Sequence, residues 1–311
     1  MKKSPFQSIL QKIRGKTPLV IRNNTGHKIA YVLYKFNNIF RKNRPRPNVL
    51  SIPDTIDLVL KERLSVIRFG DGEIFMLDGG DTAFQKGSIN LMNKLEDIVQ
   101  TKNPKLLICA PGIWGNLDIF EPYAYWFNMH HLYRNGHVWQ GLLSMDQTYG
   151  DTNMTRPYLA YKDKSSCGEI FKKLFSIWEG KEVVLIEGEK SRLGVGNDMF
   201  DKVKSLKRIL CPAENAYTKY DAIKKEAFKI TRNTLILISL GPTAKVLAYD
   251  LFLLGYRVID VGHIDMEYEM FLRKETKQVK VKFKYFNEIH ERNPENCDDP
   301  KYINQIIAKI V

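Results

Sequence analysis

Two carboxylates set two residues apart between glycines, Asp71 and Glu73, have the residue types and spacing of a cation-binding loop. They close the stretch S-V-I-R-F-G-D-G-E, Ser65 to Glu73, in which Val66, Ile67 and Phe69 favour a strand and Gly70 and Gly72 free the backbone just beyond it. Such a loop can turn both carboxylates toward one hard cation, Mn²⁺ or Mg²⁺, and a cation held there can bind a diphosphate. The tripeptide D-G-E also suits an ordinary turn in which Glu73 starts a helix. A second acidic string, G-H-I-D-M-E-Y-E, alternates His263, Asp265, Glu267 and Glu269 with Ile264, Met266, Tyr268 and Met270. If it is extended the acids share one face; if it is helical His263 and Glu267 lie one turn apart, as do Asp265 and Glu269. An acid here can deprotonate an acceptor hydroxyl within hydrogen-bond reach, and a solvated acidic face is the plainer alternative.

Two glycine strings add candidate anion sites. E-G-E-K-S-R-L-G-V-G-N-D places Arg192 after a strand, with Gly194 and Gly196 allowing close backbone approach and Asn197 or Asp198 able to cap a helix. It reads as a diphosphate or ribose loop, or as a glycine loop with Lys190 and Arg192 in solvent. S-L-G-P-T-A puts Gly241, Pro242 and Thr243 at a helix start, where backbone N–H groups can face a phosphate, although proline is common there without a ligand. Trp114 and Arg156 lie in loop-like sequence and can stack on or pair with a substrate. The adjacent His130 and His131 read as structural. No G-x-x-x-x-G-K-[ST] loop and no G-x-G-x-x-G after the first strand occurs, so neither a P-loop NTPase nor a typical Rossmann dehydrogenase is supported.

The elements that must position these residues follow an α/β rhythm. Asp54 is a plausible cap for a helix through Arg63, ahead of the Ser65 strand. Further strands are predicted at Lys105 to Cys109, Glu182 to Ile186, Arg208 to Cys211, Thr234 to Leu240 and Arg257 to Val261, mostly separated by helices. That pattern predicts a doubly wound α/β fold, a mostly parallel sheet with helices on both faces. The chemistry-bearing strings all follow strands, and open α/β sheets bind ligands at strand carboxyl ends. The tail from Lys274, with Val279, Val281 and Phe283 and a last helix bearing Ile303, Ile306, Ile307 and Ile310, reads as packing.

Extended to R-F-G-D-G-E, the first string resembles the signature of the glycosyltransferase-D fold family, bacterial metal-dependent enzymes whose D-x-E motif binds a nucleotide-sugar diphosphate through a cation. The other three strings resemble that family in the same order, so the resemblance covers most of the chain beyond Asp54. It implies transfer of a sugar, hexosyltransferase fashion, from a UDP-sugar to a protein-linked or lipid-linked glycan acceptor in bacterial surface polysaccharide or glycoprotein assembly. It makes Asp71 and Glu73 the metal-binding carboxylates for Mn²⁺ or Mg²⁺, and Glu267 and Asp265 the candidates for the base. It also counts Arg68, Gly70, Arg192, Gly194, Asn197, Asp198, Gly241, Pro242, Thr243 and His263 among donor-binding positions. A metal-dependent phosphoesterase using the same acidic loop, and a non-enzymatic membrane-surface adaptor, are the alternatives.

The totals bound the rest. The 311 residues, 44% of them hydrophobic, can bury a sizeable core. Net charge is +13, yet 12 Lys or Arg and no acid precede Asp54, and the other 36 bases face 35 acids. The positive field therefore belongs to residues 1–48, a basic amphipathic arm and linker, and not to the α/β domain over 49–311, which argues against nucleic acid as a partner. Apolar stripes at Phe6, Ile9, Leu10 and Ile13, and at Ile29, Val32, Leu33, Phe36, Ile39 and Phe40, suit either an anionic membrane surface or docking on the main domain. No apolar run is long enough for a membrane span and no secretory signal is evident, so the expected location is the cytoplasm, or the periphery of the inner face of the cell membrane. Cys109, Cys167, Cys211 and Cys297 lack metal or disulfide spacing and read as reduced thiols.

Overall fold

The computed structural model describes residues 46–311; both apolar stripes of the arm lie outside them. Nine strands form one sheet: β1 (Asn48–Val49), β2 (Ser65–Arg68), β3 (Leu106–Ala110), β4 (Thr148–Asp151), β5 (Glu182–Gly188), β6 (Ser205–Cys211), β7 (Leu235–Ser239), β8 (Arg257–Asp260) and β9 (Ile306–Lys309). Their spatial order is β1-β4-β3-β2-β8-β7-β5-β6-β9, and every pairing between them is parallel. The helices are α1 (Ile52–Glu62), α2 (Asp71–Leu77), α3 (Ile89–Val99), α4 (Pro122–Leu142), α5 (Cys167–Phe175), α6 (Tyr220–Ala227), α7 (Pro242–Leu253), α8 (Ile264–Leu272) and α9 (Pro300–Gln305).

A parallel sheet must be covered on both faces, and its strand residues alternate accordingly. Ile67, Ile108, Ile186 and Ile238 pack with α2, α3, α4, α6 and α7 in one core. Val66, Leu107, Leu185 and Leu237 pack with α1, α5 and α8 in the other. This is the doubly wound α/β architecture the sequence predicts. No described helix is long and apolar enough to cross a membrane.

Several boundaries differ from expectation. Ser51, not Asp54, caps α1; the Ser51 hydroxyl accepts from the Asp54 N–H at 3.2 Å, and Pro53 occupies the first turn. Asn48, assigned to the linker, already pairs with β4. The expected last helix stops at Gln305, because Ile306 to Lys309 add to the open edge of β6, where β-branched residues fit a pleated surface. The β4 strand gave no apolar signal. Its Gly150 is there for packing: a Cβ would stand 2.6 Å from Cys109 Sγ and 2.8 Å from the Thr55 methyl.

The strand order creates two places where neighbouring chains leave the sheet in opposite directions. From β2 the chain goes to β3 on one side, whereas from β8 it returns to β9 at the far edge. From β7 it goes to β8, whereas from β5 it goes to β6. Crevices open beyond the carboxyl ends at such switch points. Asp71 follows β2, and the 263–269 acids follow β8.

Asp151, buried at the end of β4, accepts from the N–H groups of Asn153 at 2.8 Å and Gly112 at 3.4 Å. Burial pushes its carboxyl up to about 6, while those two bonds pull it down. A carboxyl raised on folding keeps its proton in the folded state between the unfolded value and about 6, so its contribution to stability falls as pH rises through that window. Asp151→Asn should therefore gain on the wild type by about 2–3 kcal/mol of unfolding free energy between pH 4 and pH 7, read by urea titration. A difference that does not move with pH would mean that Asp151 ionises without cost.

Candidate active site

Four charged side chains meet where β2 and β8 end. Arg68, 6% exposed, donates from Nε to the Asp260 carbonyl at 2.8 Å, from Nη1 to the Thr152 carbonyl at 3.0 Å and to Thr155 Oγ1 at 2.7 Å, and pairs with Asp260 Oδ1 at 3.4 Å. Lys245, on the first turns of α7, lies 3.1 Å from Asp260 Oδ2 and 3.0 Å from Glu73 Oε1. Burial acts against the charges of Asp260 and Lys245, but the Lys245 and Arg68 cations hold the Asp260 carboxyl below its ordinary range, and Asp260 with Glu73 raises the Lys245 ammonium. Each of the four meets an opposite charge within the set, which offsets the desolvation of Asp260 and Lys245.

The D-G-E string is not a loop but the first turn of α2, with Gly70 as its N-cap. Glu73 reaches back to accept from the Gly70 N–H at 2.9 Å, the reciprocal half of a capping box. Two residues apart on a helix is about 200° of rotation, so the two carboxylates face different sides. Glu73 points inward to Lys245, whereas Asp71 is exposed.

Outside this buried set a cluster of charged side chains gathers around Arg156. Its side chain, 39% exposed, pairs with Glu288 at 3.6 Å. Partial desolvation lowers its pKa, but the charges of Glu267, Glu288 and Asp71 and the Tyr123 phenol more than offset this. Glu288 also meets His263 Nδ1 at 3.1 Å. Against burial, which raises it, His263 and Arg156 hold the Glu288 carboxyl down to about 2. Glu288 belongs to the tail assigned to packing, and no motif marks it; only the fold brings it beside His263.

The string 263–270 is helical: His263 caps α8, with Asp265 and Glu269 one turn apart. Glu267 Oε1 accepts from the backbone N–H groups of Tyr158 at 2.8 Å and Leu159 at 2.7 Å, fixing the segment that follows Arg156. Asp265 is committed differently. Its oxygens meet the buried Lys284 ammonium, at 2.7 Å from Oδ2, as well as the Gly194 N–H and the Asn197 amide, both at 2.8 Å. Asn197 also donates to Glu269, and Asp198 accepts from the Tyr268 hydroxyl at 2.7 Å. Arg192 is 7% exposed, not solvated, and its guanidinium holds the carbonyls of Phe283 and Glu295. The hydrogen bonds of this loop run to α8, to the tail and, through Leu193, to the buried Glu187 of β5 and Arg208 of β6, while Arg68 serves the seam between strands.

A small crevice opens at the β7/β5 switch point, lined among others by Gly188, Ser191, Ser239, Gly241, His263 and Tyr285. Gly241 caps α7 at φ 53°, and a Cβ there would come 2.3 Å from the Phe84 ring. Pro242 and Thr243 are buried behind it, with Thr243 donating to Gln85 at 3.1 Å. His263 borders this crevice and meets the Arg156 cluster through Glu288. Trp114 is partly buried against the core, and its carbonyl accepts from Arg46 at 2.7 Å. His131 is buried and accepts from the Trp139 indole at 2.8 Å. Among the described residues, no three His, Cys, Asp or Glu side chains converge as a metal cage.

A crevice at the carboxyl edge of a doubly wound parallel sheet, with a charged cluster beside it, lies where open α/β folds take their ligands. The chain belongs to the glycosyltransferase GT-D fold family, whose model matches residues 66–289. Glycosyltransferase GlyD of Streptococcus pneumoniae serotype 4 is 39% identical over 265 residues, which make up 85% of this chain and 32% of that protein. A probable glycosyl transferase, Gly, of Streptococcus gordonii is 39% identical over 266 residues, 85% of this chain and 39% of that protein. The chain thus spans roughly a third of the length of these curated relatives. A solved glycosyltransferase of the DUF1792 group from Streptococcus sanguinis superposes with a TM-score of 0.82 at 37% identity, covering 86% of this chain and 100% of that one.

Removing one partner of a buried ionic set strands the others, at a cost of about 3–5 kcal/mol. Lys245→Met should lose stability on that scale in urea unfolding, whereas Asp71→Asn, exposed at a helix start, should stay within about 0.5 kcal/mol of the wild type. A Lys245→Met chain as stable as the wild type would show that the strand seam does not depend on this cation.

Proposed function

We propose that this domain transfers a sugar from a UDP-sugar to a glycan acceptor with the help of Mn²⁺ or Mg²⁺. The observation that carries the proposal is the exposed Asp71 carboxylate at the mouth of the β2/β8 crevice, beside Arg156 and in a family of glycosyltransferases. The residues fit a shared cation in part. Mg²⁺ is commonly held by one or two carboxylates together with substrate phosphates and water, and Asp71 can serve as such a ligand. Glu73, committed to Lys245 and the Gly70 N–H, supports the turn that presents Asp71. When bound, the cation would neutralise charge on the departing diphosphate.

The nucleotide would occupy the β7/β5 crevice, with Gly241 and His263 nearest the diphosphate. Arg156, linked through Glu288 to His263 at the border of that crevice, would add positive charge near the departing diphosphate. Of the two carboxylates considered as the base, Glu267 is favoured. Two backbone N–H bonds orient it, and its charge is felt at Tyr123 and Arg156, whereas the Lys284 ammonium competes for any proton on Asp265. The acceptor would be a protein-linked or lipid-linked glycan. The basic arm would hold the enzyme at the inner membrane face through anionic lipid, each engaged Lys or Arg contributing about 1 kcal/mol.

The test is a donor screen with Mn²⁺ and individual UDP-sugars, reading UDP release and sugar transfer. One donor should turn over, excess chelator should abolish the turnover, and Asp71→Asn should lower it at least about 100-fold, the scale of losing an electrostatic contact in a transition state. Full activity of Asp71→Asn, or of the wild type in chelator, would remove the metal role.

A further inference from the structure

Two large rings stand exposed on the first turns of α4: Tyr123, 56% exposed, and Phe127, 53% exposed. Spaced by four residues, they share one helix face. Their position is fixed from two sides. The Glu121 N–H, at the helix cap, donates to the Ala160 carbonyl at 2.8 Å, and Lys164 pairs with Glu121 at 2.9 Å. This is the segment whose Tyr158 and Leu159 N–H groups Glu267 holds, so the start of α4 is tied to the segment that follows Arg156. Further along, Phe127 stacks over His131 at 6.2 Å between ring centroids, and the Asp71 charge is felt at His131. Partial enclosure and the Glu267 charge push the Tyr123 phenol up to about 12, while Arg156 pulls it down. The tie between Glu121 and the 158–164 segment therefore sets Tyr123 beside the Arg156 and Glu267 cluster, with Phe127 one turn further along the same helix face.

We propose that Tyr123 and Phe127 are the stacking wall of the acceptor subsite, receiving the apolar C–H face of a pyranose ring of the glycan acceptor. The inference rests on the glycosyltransferase reading above. Apolar rings in a rim of Arg156, Asp71, Glu121 and Lys164 match a ligand with one apolar face and an edge of hydroxyls. In the reading above the nucleotide takes the β7/β5 crevice, which leaves this wall to the second substrate. Two rings bordered by four charges offer too little continuous apolar surface for a protein interface of ordinary size.

The full chain can be probed with the methyl β-glycosides of glucose, galactose, N-acetylglucosamine and N-acetylgalactosamine by saturation-transfer NMR. UDP with Mn²⁺ is titrated in parallel by calorimetry. At least one glycoside should receive saturation at its ring C–H protons, and Tyr123→Ala with Phe127→Ala should weaken that binding at least tenfold without changing the melting temperature or UDP affinity. Tyr123→Phe, which keeps the ring, should bind within about threefold of the wild type. Absence of glycoside binding to the wild type, or its persistence in the double alanine variant, would overturn the proposal. Loss of UDP affinity in the same proportion would also overturn it, since the rings would then serve the donor. Ring-dependent glycoside binding in a chain that binds no UDP would keep the subsite and fail the donor assignment instead.

Discussion

The Asp260 carboxylate is the interaction on which the site depends. It stands between Arg68 and Lys245 at the seam where β2 meets β8, and it also accepts from the N–H groups of Arg68 and Gly262. The seam itself registers only Val66 against Ile259, so side-chain charge does much of the joining there. Arg68 then carries the connection across to the Thr152 carbonyl beyond β4. Gly262 follows from the same packing: a Cβ on it would fall 1.8 Å from Arg68 Nη2, and its φ of 48° suits glycine.

Because the inner charges cancel among themselves, the outer ones remain available. Asp71, Arg156, Glu288 and His263 lie outside a buried set whose charges are already paired. A comparable division holds α8 in place. Lys284 satisfies Asp265 and Glu269 within the protein, which leaves Glu267 as the member of that acidic run turned toward the segment that follows Arg156.

Much of the fold was legible because it depends on strand periodicity and glycine punctuation: five of the six strands with apolar runs sit within two residues of their expected places, and β6 begins three residues early, at Ser205. Strand β4 escaped because T-Y-G-D has little apolar content; it is a strand because Gly150 allows close packing and Asp151 finds N–H partners. In the site, residue types were easier to read than directions. The spacing of Asp71 and Glu73 suggested a shared target, but the helix begins at Asp71 and turns them apart. Arg192 resembled a phosphate contact until the tail, distant in sequence, supplied carbonyls for it. Glu288 had no local signature, since its partners His263 and Arg156 lie 25 and 132 residues away along the chain.

The two edges of the sheet bear on how the chain avoids self-association. Parallel strands as apolar as β5 and β7 would, if unpaired, template a neighbouring molecule. One edge ends in β1, only two residues long, and the other in β9, whose pairing with β6 shifts register between Arg208 and Ile209. Among the described residues neither edge presents a long, regular row of free backbone groups, which discourages strand-by-strand polymerisation through them.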